Sequence, residues 1–149
     1  MLAVPSKNKC LLLSLIVVAA CFSSTTFARD TVVRQSIESA MQTSTAMSFT
    51  GVQFFFGDQA HGEVKERMGT VSSRRTTNAF GKSDRESCEW AFLSGIKALH
   101  QRALAEGGNA VINIRSITTG QTDSSQTDYV CRAGNVVSKV YLEGEVVRL

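Results

Sequence analysis

The stretch SDRESCEWAFLSGIKALHQRALAEGGNAVINI, from Ser83 to Ile114, spells out a long helix, its stop and the strand that follows. Nothing else in the chain constrains the fold as tightly. Ser83 and Glu86 have the spacing of a capping box, in which two side chains take up backbone N–H groups that the first helical turn leaves unpaired. From there Cys88, Phe92, Ile96, Leu99 and Ala103 recur at steps of four, four, three and four, one face of a helix. Trp90, Leu93 and Leu104 widen that face in this reading. A helix over 84–106 is about 35 Å long and needs a sheet to cover.

Gly107 and Gly108 supply the stop, because the residue just past a helix often takes a positive φ that glycine adopts without strain. The following NAVINIRSI alternates: Ala110, Ile112 and Ile114 on one side, Val111, Asn113 and Arg115 on the other, as in a half-buried strand. The order also excludes one function. A nucleotide-binding phosphate loop follows a strand and opens a helix. Here the helix comes first, and no Gly-x-x-x-x-Gly-Lys-Ser/Thr occurs.

Upstream, GVQFFFG (51–57) reads as a short strand and HGEVKERMGTVSSRRTTNAF (61–80) as a longer, partly exposed one, broken near Gly69. TTGQTDSSQT (118–127) reads as a mobile hairpin loop, and 128–149 as one or two further strands, with Val140, Leu142 and Val146 toward the helix and a bulge at Gly144. Val33, Ile37, Ala40 and Met41 recur at helical spacing within a Ser/Thr/Gln-rich segment. The expected organisation is a signal peptide over 1–28, an N-terminal segment over 29–50 with a short helix, and one α+β domain over 51–149. In that domain an antiparallel sheet of about four strands packs on the single long helix, 84–106.

The leader carries Lys7 and Lys9, then the apolar CLLLSLIVVAA from Cys10, then Thr26-x-Ala28. This is the layout of an export signal cleaved after Ala28. Its apolar run is well short of the ~20 residues that span a bilayer. Val18-Ala19-Ala20-Cys21 also fits the pattern that lipidates a cysteine, so anchoring through Cys21 stands as the alternative to a soluble periplasmic or secreted protein. Cleavage after Ala28 removes Lys7 and Lys9 from 16 basic residues and none of the 13 acidic ones, so the net charge falls from +3 to +1. A near-neutral domain has no global field to gather nucleic acid. Arg74 and Arg75 read as a solvated strand face.

Cleavage leaves two of the 4 cysteines, Cys88 and Cys131, an even count that suits an oxidising compartment. The leading reading is a disulfide pinning the helix to the sheet. A redox pair and a metal site with His61 or His100 compete with it. The 43-position separation is unlike the Cys-x-x-Cys of redox centres, and neither histidine has a neighbour at ligand spacing. No Gly-x-Ser-x-Gly elbow, His-Glu-x-x-His or close carboxylate pair occurs, so no catalytic residue and no cofactor are expected.

The stretches ARDTV, TTNAFGKSDRESCEWAFLSGIKALHQRALAEGGNAVINI, TDYVCRAGNVV and LEGEVVRL together resemble a family of small exported bacterial proteins. Its members often carry a transferred label as excinuclease ATPase subunits. This chain has neither the Walker loop nor the zinc-finger cysteines such a label requires, and the ARD match favours cleavage before Arg29. More remotely, the capped helix, GGNAVINI and final VYLEGEVV are similar to the cytosolic family of heavy-metal-binding domains, which implies a compact α+β fold and self-association into rings. They are also similar to the stress-sensing lipoprotein of the Rcs phosphorelay, where disulfides brace the same helix and sheet. That sensor has more cysteines and a proline-rich tether, whereas Pro5 is the single proline here. Together these features imply a non-catalytic envelope protein acting through a protein partner or a small ligand, with a periplasmic metal-binding module as the alternative and an enzyme last.

Overall fold

A computed structural model describes residues 28–149. The expected signal peptide, up to residue 27, and Cys21 within it lie outside the described residues. In chain order the elements are β1 (Asp30–Ser36), α1 (Ile37–Met41), α2 (Ser44–Met47), β2 (Gln53–Phe56), β3 (Glu66–Asn78), α3 (Asp84–Ala105), β4 (Ala110–Ser116), β5 (Asp128–Gly134) and β6 (Val137–Arg148).

α3 starts where Ser83 Oγ accepts the Glu86 N–H, at 3.1 Å. It ends at Gly107, whose φ of +76° turns the chain so that Gly108 N donates to Ala103 O and Gly107 N to Leu104 O. That crossed pair satisfies carbonyls the last turn would otherwise leave open. One face of α3 buries Cys88, Ala91, Phe92, Ile96, Leu99 and Ala103 against the sheet. Trp90 and Leu104 do not widen it, being 53% and 50% exposed on the flanks.

The sheet corrects the expected architecture. It has six strands rather than about four, it is mixed rather than antiparallel, and two short helices accompany the long one. β6 is its axis. Along one edge β6 pairs with β3 over the whole strand, from Asn78↔Val137 to Glu66↔Arg148. The other edge is shared: β4 pairs with its C-terminal half and β5 with Lys139 and Ser138 near its start. β1 then adds antiparallel to β5, and β2 adds parallel to β4. Segment 29–50 therefore does not stand apart from the rest: β1 is a strand of the same sheet, and α1 and α2 bury Ile37, Ala40 and Ala46 in the main core.

The connection 118–127 is likewise no hairpin loop, because β4 and β5 lie in succession along β6 rather than against each other. At the point where they part, side chains take over from the ladder. Thr118 Oγ1 accepts from Tyr141 N at 3.0 Å and donates to Val130 O at 2.8 Å, while Ser116 Oγ accepts from Val130 N at 3.0 Å. Buried backbone groups need such partners wherever a ladder stops.

β4 departs from plain alternation. Its register with β6 shifts between Ile112 and Arg115, and Asn113 sits at φ +51°. This bulge puts both Val111 and Ile114 in the main core, while Ala110 and Ile112 join Val147 in a smaller cluster on the opposite face. Gly144 is not the bulged residue but faces the bulge: a Cβ there would lie 2.7 Å from Val111 Cγ1.

Candidate functional site

Cys88 and Cys131 form a disulfide, with Cα atoms 5.9 Å apart. Neither residue has exposed surface. Beside it Phe92 stacks on Tyr129, and Ser87 Oγ meets Ser138 Oγ at 2.8 Å in a buried contact. A redox-active pair presents a sulfur to its partner. This one is enclosed by packed rings and strands, which is the setting of a brace.

The two histidines lie apart. His100, on α3, donates through Nε2 to Thr50 O at 2.7 Å and sits beside Phe49 and Phe54. His61, in the turn after β2, has Nδ1 2.8 Å from Gly62 O and its ring against Phe55. Phe54 packs on the helix side of the sheet and Phe55 on the other, because successive strand residues point to opposite faces. The histidines are thus on opposite sides of β2. Among the described residues no three His, Cys, Asp or Glu side chains gather as ligands.

The carboxylates are mostly held in surface ion pairs, among them Arg115–Glu143 at 2.6 Å, Arg148–Glu66 at 2.8 Å and Arg132–Asp30 at 2.9 Å. Burial, with Glu89 adding, pushes the Tyr129 phenol well above its ordinary range, so it stays protonated at physiological pH. Tyr129, Glu89 and Arg85 line a cleft of about 330 Å³ together with Gln35, Ser36 and Ser39.

The feature that remains is β3 and the flank of α3 beside it. β3 is an edge strand of 13 residues, bonded through its backbone to β6 alone in the sheet. Between it and α3 run two adjoining clefts. One, of about 400 Å³, is lined by Arg75, Thr76, Ser94, Lys97, Ala98 and Gln101. The next, of about 390 Å³, is lined by Thr70, Val71, Ser72, Ala98 and Arg102. The adjacent arginines are divided by the strand's period: Arg75 lines the helix-side cleft, whereas Arg74 lies over the Tyr141 ring, 5.4 Å from its centroid. They form no continuous basic patch.

The sequence pattern marked 61–80 as a partly exposed strand, but the free edge was not visible in it. Edge position depends on which strands pair, and a polar, β-branched run occurs at edges and interiors alike. Lys97 and Gln101 lie off the apolar face that marks the helix, so no pattern in the sequence singles them out. No protein-family model, curated protein or solved structure matches this chain. Among the described residues no helix is long and apolar enough to cross a membrane.

Proposed function

We propose that this chain is an exported, disulfide-braced protein of the bacterial envelope that acts by contact with another protein rather than by catalysis. The observation that carries the reading is the buried Cys88–Cys131 disulfide downstream of an export-type leader. Disulfides persist in oxidising compartments, and small exported domains use them to hold a modest core. The resemblance to small exported proteins, and remotely to the Rcs stress sensor, supports the same reading and a stress-related role. Periplasmic or secreted placement after cleavage at Ala28 is the leading form, and lipid anchoring through Cys21 is its variant. A small ligand is the other kind of partner this reading admits. Metal binding through His61 or His100 has no supporting contact, since the two rings sit on opposite sides of β2.

Two measurements test this. The intact mass of the protein from the envelope fraction is expected to correspond to a chain starting at Arg29 with no free thiol. A full-length chain in the cytosol, with both thiols free, would overturn the proposal. Cross-linking in intact cells followed by denaturing purification is expected to recover the protein joined to a partner; recovery of the protein alone defeats the contact reading.

A further inference from the structure

Resting on the contact reading above, we infer that the free edge of β3 is a strand-addition site. Its occupant is an extended, acidic segment of another protein, laid in the cleft beside α3. An edge strand exposes a row of backbone N–H and C=O groups that a second strand can satisfy, and main-chain bonding of this kind is a general mode of peptide recognition. At ~3.3 Å per residue, β3 offers an edge about 43 Å long. From Thr70 to Asn78 its register with β6 runs without a break, and the bulge between Arg67 and Gly69 is confined to one end. No proline interrupts it. Among the described residues no backbone hydrogen bond joins β3 to any other strand or loop.

The charge of the cleft selects the occupant. Arg75 and Lys97 line it, and among the described residues neither has an ion-pair partner. Arg102, lower down, is held by Glu106. No carboxylate lines either cleft. A second copy of this chain is a poorer fit, because the only carboxylate of β3 is Glu66, which already pairs with Arg148. Arginine on an edge also serves to keep stray strands away. That role repels a basic segment but favours an acidic one, so peptide charge separates the two.

The test uses the oxidised exported protein and labelled peptides of alternating Glu and Val, followed by fluorescence polarisation. The acidic peptide is expected to bind and to protect β3 amides from hydrogen exchange. Its Lys-for-Glu counterpart should fail, as should the acidic peptide N-methylated at alternate amides along one edge. R75E/K97E should weaken binding by about tenfold or more, as should raising salt to about 0.5 M. No binding, or binding indifferent to N-methylation, overturns the inference, and a shift to a dimer in light scattering with no peptide bound assigns the edge to a second copy instead. A photo-reactive residue at Thr76 or at exposed Val136, in cells, separates this from the broader reading. Cross-links from Val136 alone refute the edge site but keep the contact function. Cross-links from neither refute both.

Discussion

The ring of Phe92 lies flat on that of Tyr129, with centroids 4.1 Å apart and planes 14° from parallel. Phe92 is one helical turn after Cys88, and Tyr129 is two strand residues before Cys131, on the same face of β5. The helix is therefore joined to the sheet by two parallel rungs, one covalent and one aromatic. Both attach α3 to β5, the strand that touches β6 at only two paired positions. The brace sits where the backbone ladder is shortest.

Removing the covalent rung should therefore be felt strongly. In the chain-entropy account, opening a loop with this sequence separation of 43 lowers stability by about 4 kcal/mol. The C88A/C131A variant is expected to show that loss in urea unfolding. A change of under about 1 kcal/mol would mean that packing alone holds the helix to β5.

The aromatic rung makes its own contribution. Phe92 has no exposed surface and also approaches Phe56, with centroids 6.0 Å apart. Phe92→Ala should lower stability by about 3–5 kcal/mol through lost burial and the cavity left behind. Because the two rungs share a helix face, the double-mutant cycle with C88A/C131A should depart from additivity by about 0.5–3 kcal/mol.

Thr118 splices β4, β5 and β6. Thr118→Val keeps the shape of the side chain and deletes the hydroxyl, leaving Tyr141 N–H and Val130 C=O without it. The expected loss is about 1–3 kcal/mol. Native-state hydrogen exchange should show the Tyr141 amide losing protection relative to neighbouring β6 amides, and unchanged exchange there would refute the splice.

Gly144 lets β4 bulge against β6. Gly144→Ala places a methyl 2.7 Å from Val111 Cγ1 and 3.3 Å from Ile112 O. Overpacking of this kind destabilises by about 1–3 kcal/mol. Thermal unfolding is the readout; wild-type stability would show that the bulge relaxes freely.

Asp58 supplies a pH dependence. The hydrogen bond from Gln126 Nε2, 2.6 Å away, holds its carboxyl below the usual range, with a bond from its own backbone adding. The charged form is thus favoured in the fold. The tie between the β2 turn and the 118–127 connection is intact above the ordinary carboxylate range and is lost as pH falls through the lowered value. An NMR titration following the Gln126 side-chain amide should report that loss at a pH below the midpoint of a free aspartate.

What could be read directly from the chain was local. The α3 start at Ser83 and its stop at Gly107 involve groups within one turn of each other, so the residue types there carry the information. The inward positions Val140, Leu142 and Val146 follow from the period of a strand. The pairing of Cys88 with Cys131 was legible because only two of the 4 cysteines lie beyond the expected cleavage point. Pattern failed where a bulge resets it, as at Asn113, and where long-range pairing decides the face, as with Trp90 and Leu104.

Strand partnership was decided by tertiary structure alone. Nothing in the residues of β1 announces that it completes β5, nor in those of β4 and β5 that they share one edge of β6 while β3 takes the other. Hydrogen bonds between strands use backbone groups common to every residue, so sequence specifies them only through the side-chain packing of the whole assembly. The candidate site inherits that origin. Arg75 and Lys97 are ordinary surface cations in the chain, and they line one cleft only because β3 was left at the edge with α3 beside it.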